Sequence, residues 1–234
     1  MRTVAVRGIH KTSLVDFPGE VCSTIFFGGC NFRCPWCHNA DLVLRPSALP
    51  EIPPEDVLAF LDRRKSFIRA VCLTGGEPTL ARDVEDFICQ LKGSGFKVKI
   101  DTNGTRPAVL AGLLEKGLLD YVAMDVKGPP EKYHLLTGVK ADLGAIEESI
   151  ALLKDSRVAY EFRTTVVPGL LLEEDLLALG YMLRGAKRYV LQAFRPADSV
   201  IDGYYRDIPP CSEATLKKAA AKLAPFFGQV EIRA

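Results

Sequence analysis

Short runs of apolar and β-branched residues alternate along the chain with longer segments in which apolar residues recur every three or four positions. Six runs have the length and composition of strands: residues 20–27, 68–74, 96–102, 120–126, 158–167 and 188–194. The intervening segments carry apolar stripes at i, i+3, i+4 and i+7, which are typical of amphipathic helices. Strands that alternate with helices predict an α/β fold with a parallel sheet.

The clearest helical pattern lies between the second and third predicted strands. Its stripe consists of four apolar residues, Val84, Phe87, Ile88 and Leu91. Gly93 follows as a stop signal. Asp142 is placed to cap the helix before the fifth strand, and a last helix is predicted from about Ser212 to Ala224.

Length and continuity favour one domain over residues 1–234, because α/β barrels of this size are common. Residues 1–19 lead into the first predicted strand, the core spans about 20–195, and 196–234 form a C-terminal extension. No linker, repeat or low-complexity tract interrupts the pattern.

Charge and hydropathy narrow the function classes. The chain has 30 Lys+Arg against 29 Asp+Glu, and the basic residues are scattered, which weakens nucleic acid as a partner. The first twenty residues contain no apolar signal segment, and no run of 18 apolar residues occurs anywhere. We therefore predict a cytoplasmic protein with no membrane partner.

Polar or glycine-rich motifs follow the first four predicted strands. They are "GGC" after the first, "GGEP" (75–78) after the second, "DTNG" (101–104) after the third and "MDVKG" (124–128) after the fourth. Each motif alone reads as an ordinary turn or a solvated charge pair. In parallel α/β sheets, however, ligand sites lie at the carboxyl ends of the strands. The joint placement of the motifs therefore predicts one site at that edge.

Seven cysteines, an odd number in a chain without an export signal, argue against a disulfide framework. Three of them cluster as C-x-x-x-C-x-x-C, namely Cys30, Cys34 and Cys37. Three others lie in apolar or amphipathic patterns and are expected in the core as small hydrophobes, namely Cys22, Cys72 and Cys89. Cys211 lies in a loop and is expected to be the most exposed.

Thiolates at this spacing suit either zinc or an iron–sulfur cluster. His38 adjoins Cys37, so a closed Cys3His zinc site is one possible reading. Adjacent residues rarely reach the same tetrahedral centre, however, and zinc sites usually draw on two separated pairs of ligands. We therefore predict a [4Fe–4S] cluster with one iron free of protein ligands. His38 is then expected to bond to a cluster sulfur or to backbone.

The stretch "CNFRCPWC" matches the C-x-x-x-C-x-aromatic-C motif of the radical SAM superfamily, and "GGEP" follows at the second strand as it does in that family. The resemblance spans most of the chain and implies a partial (β/α)6 TIM-like barrel that is open on one side. It also implies that S-adenosylmethionine binds the open iron of the cluster. Reductive cleavage then gives methionine and a 5′-deoxyadenosyl radical, which abstracts hydrogen from the substrate.

The resemblance also assigns cofactor contacts. The backbone of one loop would meet the ammonium group of the cofactor, and this loop consists of Gly75, Gly76, Glu77 and Pro78. Trp36 would pack near the adenine, or else hold the cluster loop against the core. Lys127 would meet the carboxylate or ribose, and Asn103 the same polar end. Val166 and Val167 would line the adenine.

The opening "KTSLVDFPGEVCSTIFFGGCNFRCPWCHN" resembles that of the glycyl-radical-enzyme activases. This group contains pyruvate formate-lyase activating enzyme and the anaerobic ribonucleoside-triphosphate reductase activating proteins. The resemblance implies hydrogen abstraction from a glycine Cα of a partner enzyme, with that reductase as the expected partner and flavodoxin or ferredoxin as electron donor. The alternatives are a small-molecule enzyme similar to 7-carboxy-7-deazaguanine synthase and a zinc-stabilised binding module.

Two further expectations follow from the same resemblance. A monovalent cation beside the cofactor carboxylate would be held by residues matching Asp101, Thr102, Met124 and Asp125. Carboxylates next to a ligand carboxylate repel it unless a cation intervenes. The related activase also offers a His near the end of strand six, whereas this chain has "AFRP", so Arg195 or Gln192 would make that contact.

Overall fold

The computed structural model describes residues 5–233, so the first four residues of the predicted leading segment and the last residue of the predicted extension lie outside the described part. It contains eight strands: β1 Val6–Ser13, β2 Cys22–Phe27, β3 Ala70–Gly75, β4 Lys97–Thr102, β5 Tyr121–Asp125, β6 Ala159–Val166, β7 Arg188–Ala193 and β8 Gln229–Arg233. The α-helices are α1 Ala40–Leu44, α2 Pro54–Asp62, α3 Val84–Gly93, α4 Pro107–Glu115, α5 Tyr133–Thr137, α6 Leu143–Asp155, α7 Glu173–Met182 and α8 Glu213–Leu223.

All eight strands form one sheet in the order β1 to β8. β1 runs antiparallel to β2, and every later neighbouring pair is parallel. The six predicted strands correspond to β2 to β7, which confirms the α/β fold of alternating strands and helices. β1 and β8 were not predicted, because each has a single neighbour and an amphipathic or polar sequence rather than an apolar run.

The sheet curls into an open barrel, as contacts between distant strands show. The ring of Phe17, just before β2, lies 6.0 Å from that of Tyr121 on β5. Six residues form a small apolar cluster between the amino ends of the strands, Phe17, Cys22, Ala70, Cys72, Tyr121 and Ala123. The larger apolar core lies mainly between the sheet and the surrounding helices. The barrel floor is therefore apolar, and its opposite end is left for polar groups.

The helical predictions hold where the apolar stripe is strong. Val84, Phe87, Ile88 and Leu91 are all buried on α3. Asp142 caps α6 by accepting a hydrogen bond from the backbone N–H of Ala145 at 3.2 Å. Ser212 caps α8 in the same way through Thr215 N at 3.1 Å. No helix within residues 5–233 is long and apolar enough to span a bilayer.

The expected burial of the scattered cysteines was partly wrong. Cys22 and Cys72 are buried, as predicted, but Cys89 is exposed and Cys211 only half-buried. Cys89 follows Ile88 by one position on α3, and one helical step of about 100° carries its side chain off the buried stripe. Cys211 is half-buried because it packs against the edge of the main apolar core.

Candidate functional site

The loops that follow β2, β3, β4 and β5 meet around two adjoining cavities at the carboxyl edge of the sheet. The smaller, of about 160 Å³, is lined by Cys30, Phe32, Cys34, Cys37, Asn39, Val43, Thr74, Gly75, Gly76, Glu77, Asp101, Thr102, Asn103, Asp125 and Lys127. The larger, of about 420 Å³, is lined by Trp36, Cys37, His38, Asn39, Asp125, Thr165, Gln192, Ala193, Arg195 and Arg233. Cys37, Asn39 and Asp125 border both cavities. The motifs that the sequence placed at this edge therefore come together.

The cysteine loop is held by its own backbone and by α5. Cys37 N donates to Cys34 O at 2.9 Å, and Arg33 N donates to Thr137 O at 2.7 Å. Burial raises the pKa of the Cys30 thiol to about 11 and that of Cys34 to about 12. Metal binding requires thiolates, so loading this site would release protons.

The donor set fits an iron–sulfur cluster better than a single zinc ion. His38 Nε2 lies 2.6 Å from the backbone oxygen of Arg195, so its ring is engaged away from the thiols. Across residues 5–233, no three His, Cys, Asp or Glu side chains converge on the position of one metal ion. The three thiols nevertheless line one cavity. A cubane needs this arrangement, because each thiolate binds a different iron.

The loop after β3 packs its backbone directly against the start of the cysteine loop. Gly76 N donates to Phe27 O and Glu77 N to Gly29 O, both at 2.8 Å. Gly75 has φ +109°, which L side chains rarely adopt, and a Cβ on Gly76 would overlap the carbonyl oxygen of Gly29. Glycine is therefore required here so that two site loops can touch.

We expect Gly76→Ala to lower the free energy of unfolding by about 1–3 kcal/mol and to impair cluster loading, because backbone must move to admit the Cβ. Gly93→Ala is the matched control, since a Cβ there meets nothing within 4 Å. It should stay within about 1 kcal/mol of the parent. Urea unfolding of the metal-free protein and iron content after anaerobic reconstitution check both variants. Equal losses of stability and of iron content in the two variants would contradict the role given to Gly76.

Glu77 joins the loop after β3 to the loop after β4. Its buried carboxylate accepts hydrogen bonds from Thr79 N at 3.1 Å, Thr79 Oγ1 at 2.5 Å, Thr102 Oγ1 at 2.8 Å and Asn103 N at 2.7 Å. Burial raises the pKa of this carboxyl, and the four donors counteract that shift. With its oxygens occupied in this way, the Glu77 side chain positions the two loops.

A network of paired charges lies inside the barrel beneath the cysteine loop. Arg163 on β6 donates to Asp125 Oδ1 at 2.8 Å and to Asp101 Oδ2 at 3.1 Å. Lys127 Nζ lies 3.0 Å from Asp125 Oδ2, and Lys99 bonds to Asp101. Burial alone would raise the pKa of both carboxyls, but the neighbouring cations lower both below the usual range. Both aspartates are therefore ionised and balanced by positive charge.

Lys127 connects this network to the thiols. Burial works against its charged form, but Asp125 and the nearby Cys34 raise its pKa above the usual range. The ammonium is therefore charged, and it borders the smaller cavity. Asn103 Nδ2 lies 3.9 Å from Cys30 Sγ, within hydrogen-bond range for sulfur. One cation and one amide thus face the space between the thiols and the loop after β3.

The remaining predicted residues divide into two groups. Trp36, Gln192 and Arg195 border the larger cavity, and Trp36 also packs edge-on against Tyr205 with ring centroids 6.3 Å apart. Four others are buried and border neither cavity, namely Pro78, Met124, Val166 and Val167. Of the four residues expected around a cation, Asp101, Thr102 and Asp125 line the smaller cavity. Arg163 bonds to both of these aspartates.

Several residues of this site were not predicted from the sequence. Asn39 Nδ2 donates to Gly75 O at 3.1 Å, and Thr165 and Arg233 border the larger cavity. Glu161, Arg163 and Thr165 occupy every second position of β6, a period-two pattern that places them on one face of the strand. Arg233 belongs to β8, where the alternation "VEIR" offered the same signal over fewer residues.

Solved structures share this fold. QueE from Escherichia coli superposes with a TM-score of 0.59 and 18% identity, covering 99% of this chain and 94% of that one. Streptococcus suis SuiB bound to precursor peptide SuiA gives a TM-score of 0.69 at 14% identity, covering 88% of this chain. This chain spans about half of SuiB, 47% of its length. These likenesses establish the architecture.

Sequence relatives identify the family. Residues 24–179 match the Radical SAM superfamily. A Methanocaldococcus jannaschii protein, provisionally named a glycyl-radical enzyme activating enzyme, is 35% identical over 236 residues, covering 97% of this chain and 95% of its own. Pyruvate formate-lyase-activating enzyme of Clostridium pasteurianum is 29% identical over 171 residues, covering 70% of this chain and 69% of its own. The chain is therefore a radical SAM enzyme and belongs with the glycyl-radical-enzyme activating enzymes.

Proposed function

We propose that this enzyme uses a [4Fe–4S] cluster bound by Cys30, Cys34 and Cys37, together with S-adenosylmethionine, to generate a glycyl radical on a partner enzyme. The observation that carries the proposal is the pair of adjoining cavities that share Cys37, Asn39 and Asp125. One cavity holds the three thiols, and the other is large and polar. When bound, the cluster and its cosubstrate supply a 5′-deoxyadenosyl radical.

The residues of the smaller cavity would bind the amino-acid end of S-adenosylmethionine. Gly75 and Gly76 line this cavity, and their backbone carbonyl groups can accept hydrogen bonds from an ammonium group. The Lys127 ammonium can pair with a carboxylate, and Asn103 can donate to the same polar end. In this proposal Glu77 and Pro78 act by fixing the loop.

The larger cavity would take the nucleoside and the reacting carbon of the substrate. Trp36 offers an aromatic surface, while Gln192 and Arg195 offer polar contacts from the end of β7. Val166 and Val167 are buried and directly follow Thr165, which borders this cavity. Abstraction of a hydrogen atom needs no general base, so the titratable groups of the cavity serve in binding and orientation.

The expected substrate is a glycine Cα–H of anaerobic ribonucleoside-triphosphate reductase, and the expected electron donor is flavodoxin or ferredoxin. The proposal further includes a monovalent cation near Asp101, Thr102, Met124 and Asp125. Exchange of sodium for potassium during turnover tests the cation. An unchanged rate, together with no dense peak there in a high-resolution crystal map, would remove it.

The experiment that tests the function mixes reduced, reconstituted enzyme and S-adenosylmethionine with each glycyl radical enzyme encoded in the same genome. Electron paramagnetic resonance then detects the radical. We expect a glycyl doublet on one partner, and that partner's identity settles the substrate. Deoxyadenosine without a radical on any candidate would remove the activase proposal. If the purified protein contained zinc in place of iron and sulfide, the proposed iron–sulfur cluster would be contradicted as well.

A small-molecule reaction is the second candidate, and a local similarity favours it. 7-Carboxy-7-deazaguanine synthase of Rhodospirillum rubrum is 40% identical over 90 residues, although these cover only 38% of this chain and 36% of its own. The same reduced enzyme, given a pterin substrate, distinguishes the candidates. A deazaguanine product without any protein radical would favour the synthase activity.

A further inference from the structure

Arg233, the last residue of β8, borders the larger cavity beside two other polar side chains. Thr165 pairs with Gln192 across β6 and β7, and Gln192 pairs with Arg233 across β7 and β8. Paired residues of neighbouring strands lie on the same face of a sheet. A hydroxyl, an amide and a guanidinium therefore form one row along the wall of this cavity.

Two carboxylates hold the Arg233 guanidinium in place. Nη1 and Nη2 donate to the two carboxylate oxygens of Glu161 at 2.6 and 2.7 Å, and Nε donates to Glu231 Oε1 at 2.9 Å. Glu161 is fully buried and also accepts a hydrogen bond from the Tyr121 hydroxyl at 2.9 Å. A two-point pair of this kind fixes the orientation of a guanidinium. The position of Arg233 is therefore set by the barrel interior before any ligand binds.

The bonds to these carboxylates leave part of the Arg233 side chain available to a ligand. A guanidinium carries five N–H groups, of which two are on each terminal nitrogen. Arg233 uses three N–H groups in the bonds to Glu161 and Glu231, one from each nitrogen. One N–H group on each terminal nitrogen therefore remains for an acceptor in the cavity.

The charges around Arg233 are balanced. Arg188 also pairs with Glu231 and lies 3.5 Å from Glu161, so two guanidinium groups are paired with two carboxylates. Burial alone would raise the pKa of Glu161, but the bond from Arg233 lowers it below the usual value. Arg195, the other arginine that borders this cavity, is exposed to water. Burying a ligand carboxylate requires a cation without a counterion, whereas a carbonyl oxygen requires only a donor, so Arg233 favours a neutral acceptor.

The proposed substrate presents neutral acceptors next to its reacting carbon. A glycine has no side chain by which an enzyme could hold it, so the nearest polar groups are the two peptide units on either side of its Cα. Each peptide unit offers a carbonyl oxygen as an acceptor. Efficient reaction requires the reacting atoms to be held about 3–3.5 Å apart, so the position of the Cα must be fixed closely. A donor in a fixed position at the cavity can supply this contact.

We propose that Arg233 donates a hydrogen bond to a main-chain carbonyl oxygen beside the reacting Cα of the glycyl radical enzyme, and so positions the glycine in the larger cavity. This inference rests on the proposed function and adds a substrate-binding residue to it. Glu161 and Glu231 border neither cavity, so they are positioning residues that act through Arg233.

The test uses the partner that gains a radical in the experiment above and the double variant Arg233→Met with Glu161→Gln. This variant removes the donor without leaving the buried carboxylate unpaired. The measured quantity is the amount of deoxyadenosine formed per glycyl radical. A misplaced glycine lets the deoxyadenosyl radical take hydrogen from another donor. We therefore expect this ratio to rise about tenfold or more over the parent, the usual effect of losing a hydrogen bond from a charged group.

Two controls leave Arg233 in place. Tyr121→Phe removes a different hydrogen bond of Glu161. Lys92→Gln with Asp120→Asn removes a 2.6 Å ion pair whose cation is as exposed as Arg233 and which borders neither cavity. Both controls should keep the ratio within about twofold of the parent. Iron content after reconstitution and urea unfolding of the metal-free protein are measured for every variant.

The outcomes separate this inference from the function on which it rests. A ratio equal to that of the parent in the Arg233 variant would overturn the role of Arg233 and leave the activase function intact. So would an equal rise in Tyr121→Phe, because the ratio would then follow the integrity of the buried network. Incomplete folding or cluster loading lowers deoxyadenosine and glycyl radical together, so the ratio remains decisive in a poorly loaded variant. If no partner gains a radical with the parent enzyme, the proposed function fails and this inference with it.

Discussion

Cys34→Ala is expected to lose the iron–sulfur cluster and, with it, cleavage of S-adenosylmethionine. Cys34 is buried beside Cys30 and Cys37 in one cavity, and a cubane held at three corners cannot give up a thiolate and keep its position. Mutation of a residue that only orients a metal ligand typically lowers metal affinity or activity about 10–100-fold. Loss of the ligand itself should therefore lower S-adenosylmethionine cleavage by more than about 100-fold. Iron and sulfide content and deoxyadenosine release after anaerobic reconstitution measure the effect.

Cys89→Ala is the matched control for that variant. The Cys89 side chain is exposed on the outer face of α3, and the residue borders neither cavity. It should keep the cluster and the activity of the parent. Equal activity in the two variants would contradict the assignment of the cluster to Cys30, Cys34 and Cys37.

Arg163→Met is expected to lower the free energy of unfolding of the metal-free protein by about 3–5 kcal/mol, the usual cost of breaking a buried ion pair at one partner. The guanidinium bonds to carboxylates on two other strands, Asp125 at 2.8 Å and Asp101 at 3.1 Å. Lys127 and Lys99 still pair with one carboxylate each, but the link between the strands is lost. Urea unfolding at neutral pH measures the difference.

The pH dependence of that difference is a second readout. Neighbouring cations hold the native pKa values of Asp101 and Asp125 below the usual range. Their contribution to stability is therefore complete above the unfolded pKa of about 4 and is lost as pH falls through the lower native values. Arg163→Met raises those native pKa values, so the difference in the free energy of unfolding between parent and variant should become smaller below about pH 4.

Arg45→Met is the control for the removal of a guanidinium, because Arg45 pairs with Asp41 at 2.7 Å on the open surface. Its cost should stay within about 0.5–1 kcal/mol. The role of the buried network would be contradicted if Arg163→Met lowered the free energy of unfolding by less than about 1 kcal/mol. A difference in the free energy of unfolding that does not depend on pH would contradict it as well.

The sequence alone determined the order of strands and helices and the position of the site motifs. Apolar runs and stripes reflect burial, which repeats every two residues in a strand and every 3.6 in a helix. Because consecutive parallel strands end at one edge, "GGC", "GGEP", "DTNG" and "MDVKG" had to come together. Cys30, Cys34 and Cys37 lie within eight consecutive residues, so this motif too could be recognised from the sequence alone.

Only the tertiary structure decided which side chains pair across the barrel. Arg163 reaches Asp101 over a separation of 62 residues, and Arg233 reaches Glu161 over 72. The two unpredicted edge strands also depend on tertiary contacts, because β1 is a strand through its pairing with β2 and β8 through its pairing with β7. A local pattern records whether a residue is buried, whereas the partner of a buried charge is fixed by the curl of the sheet, which no short stretch of sequence encodes.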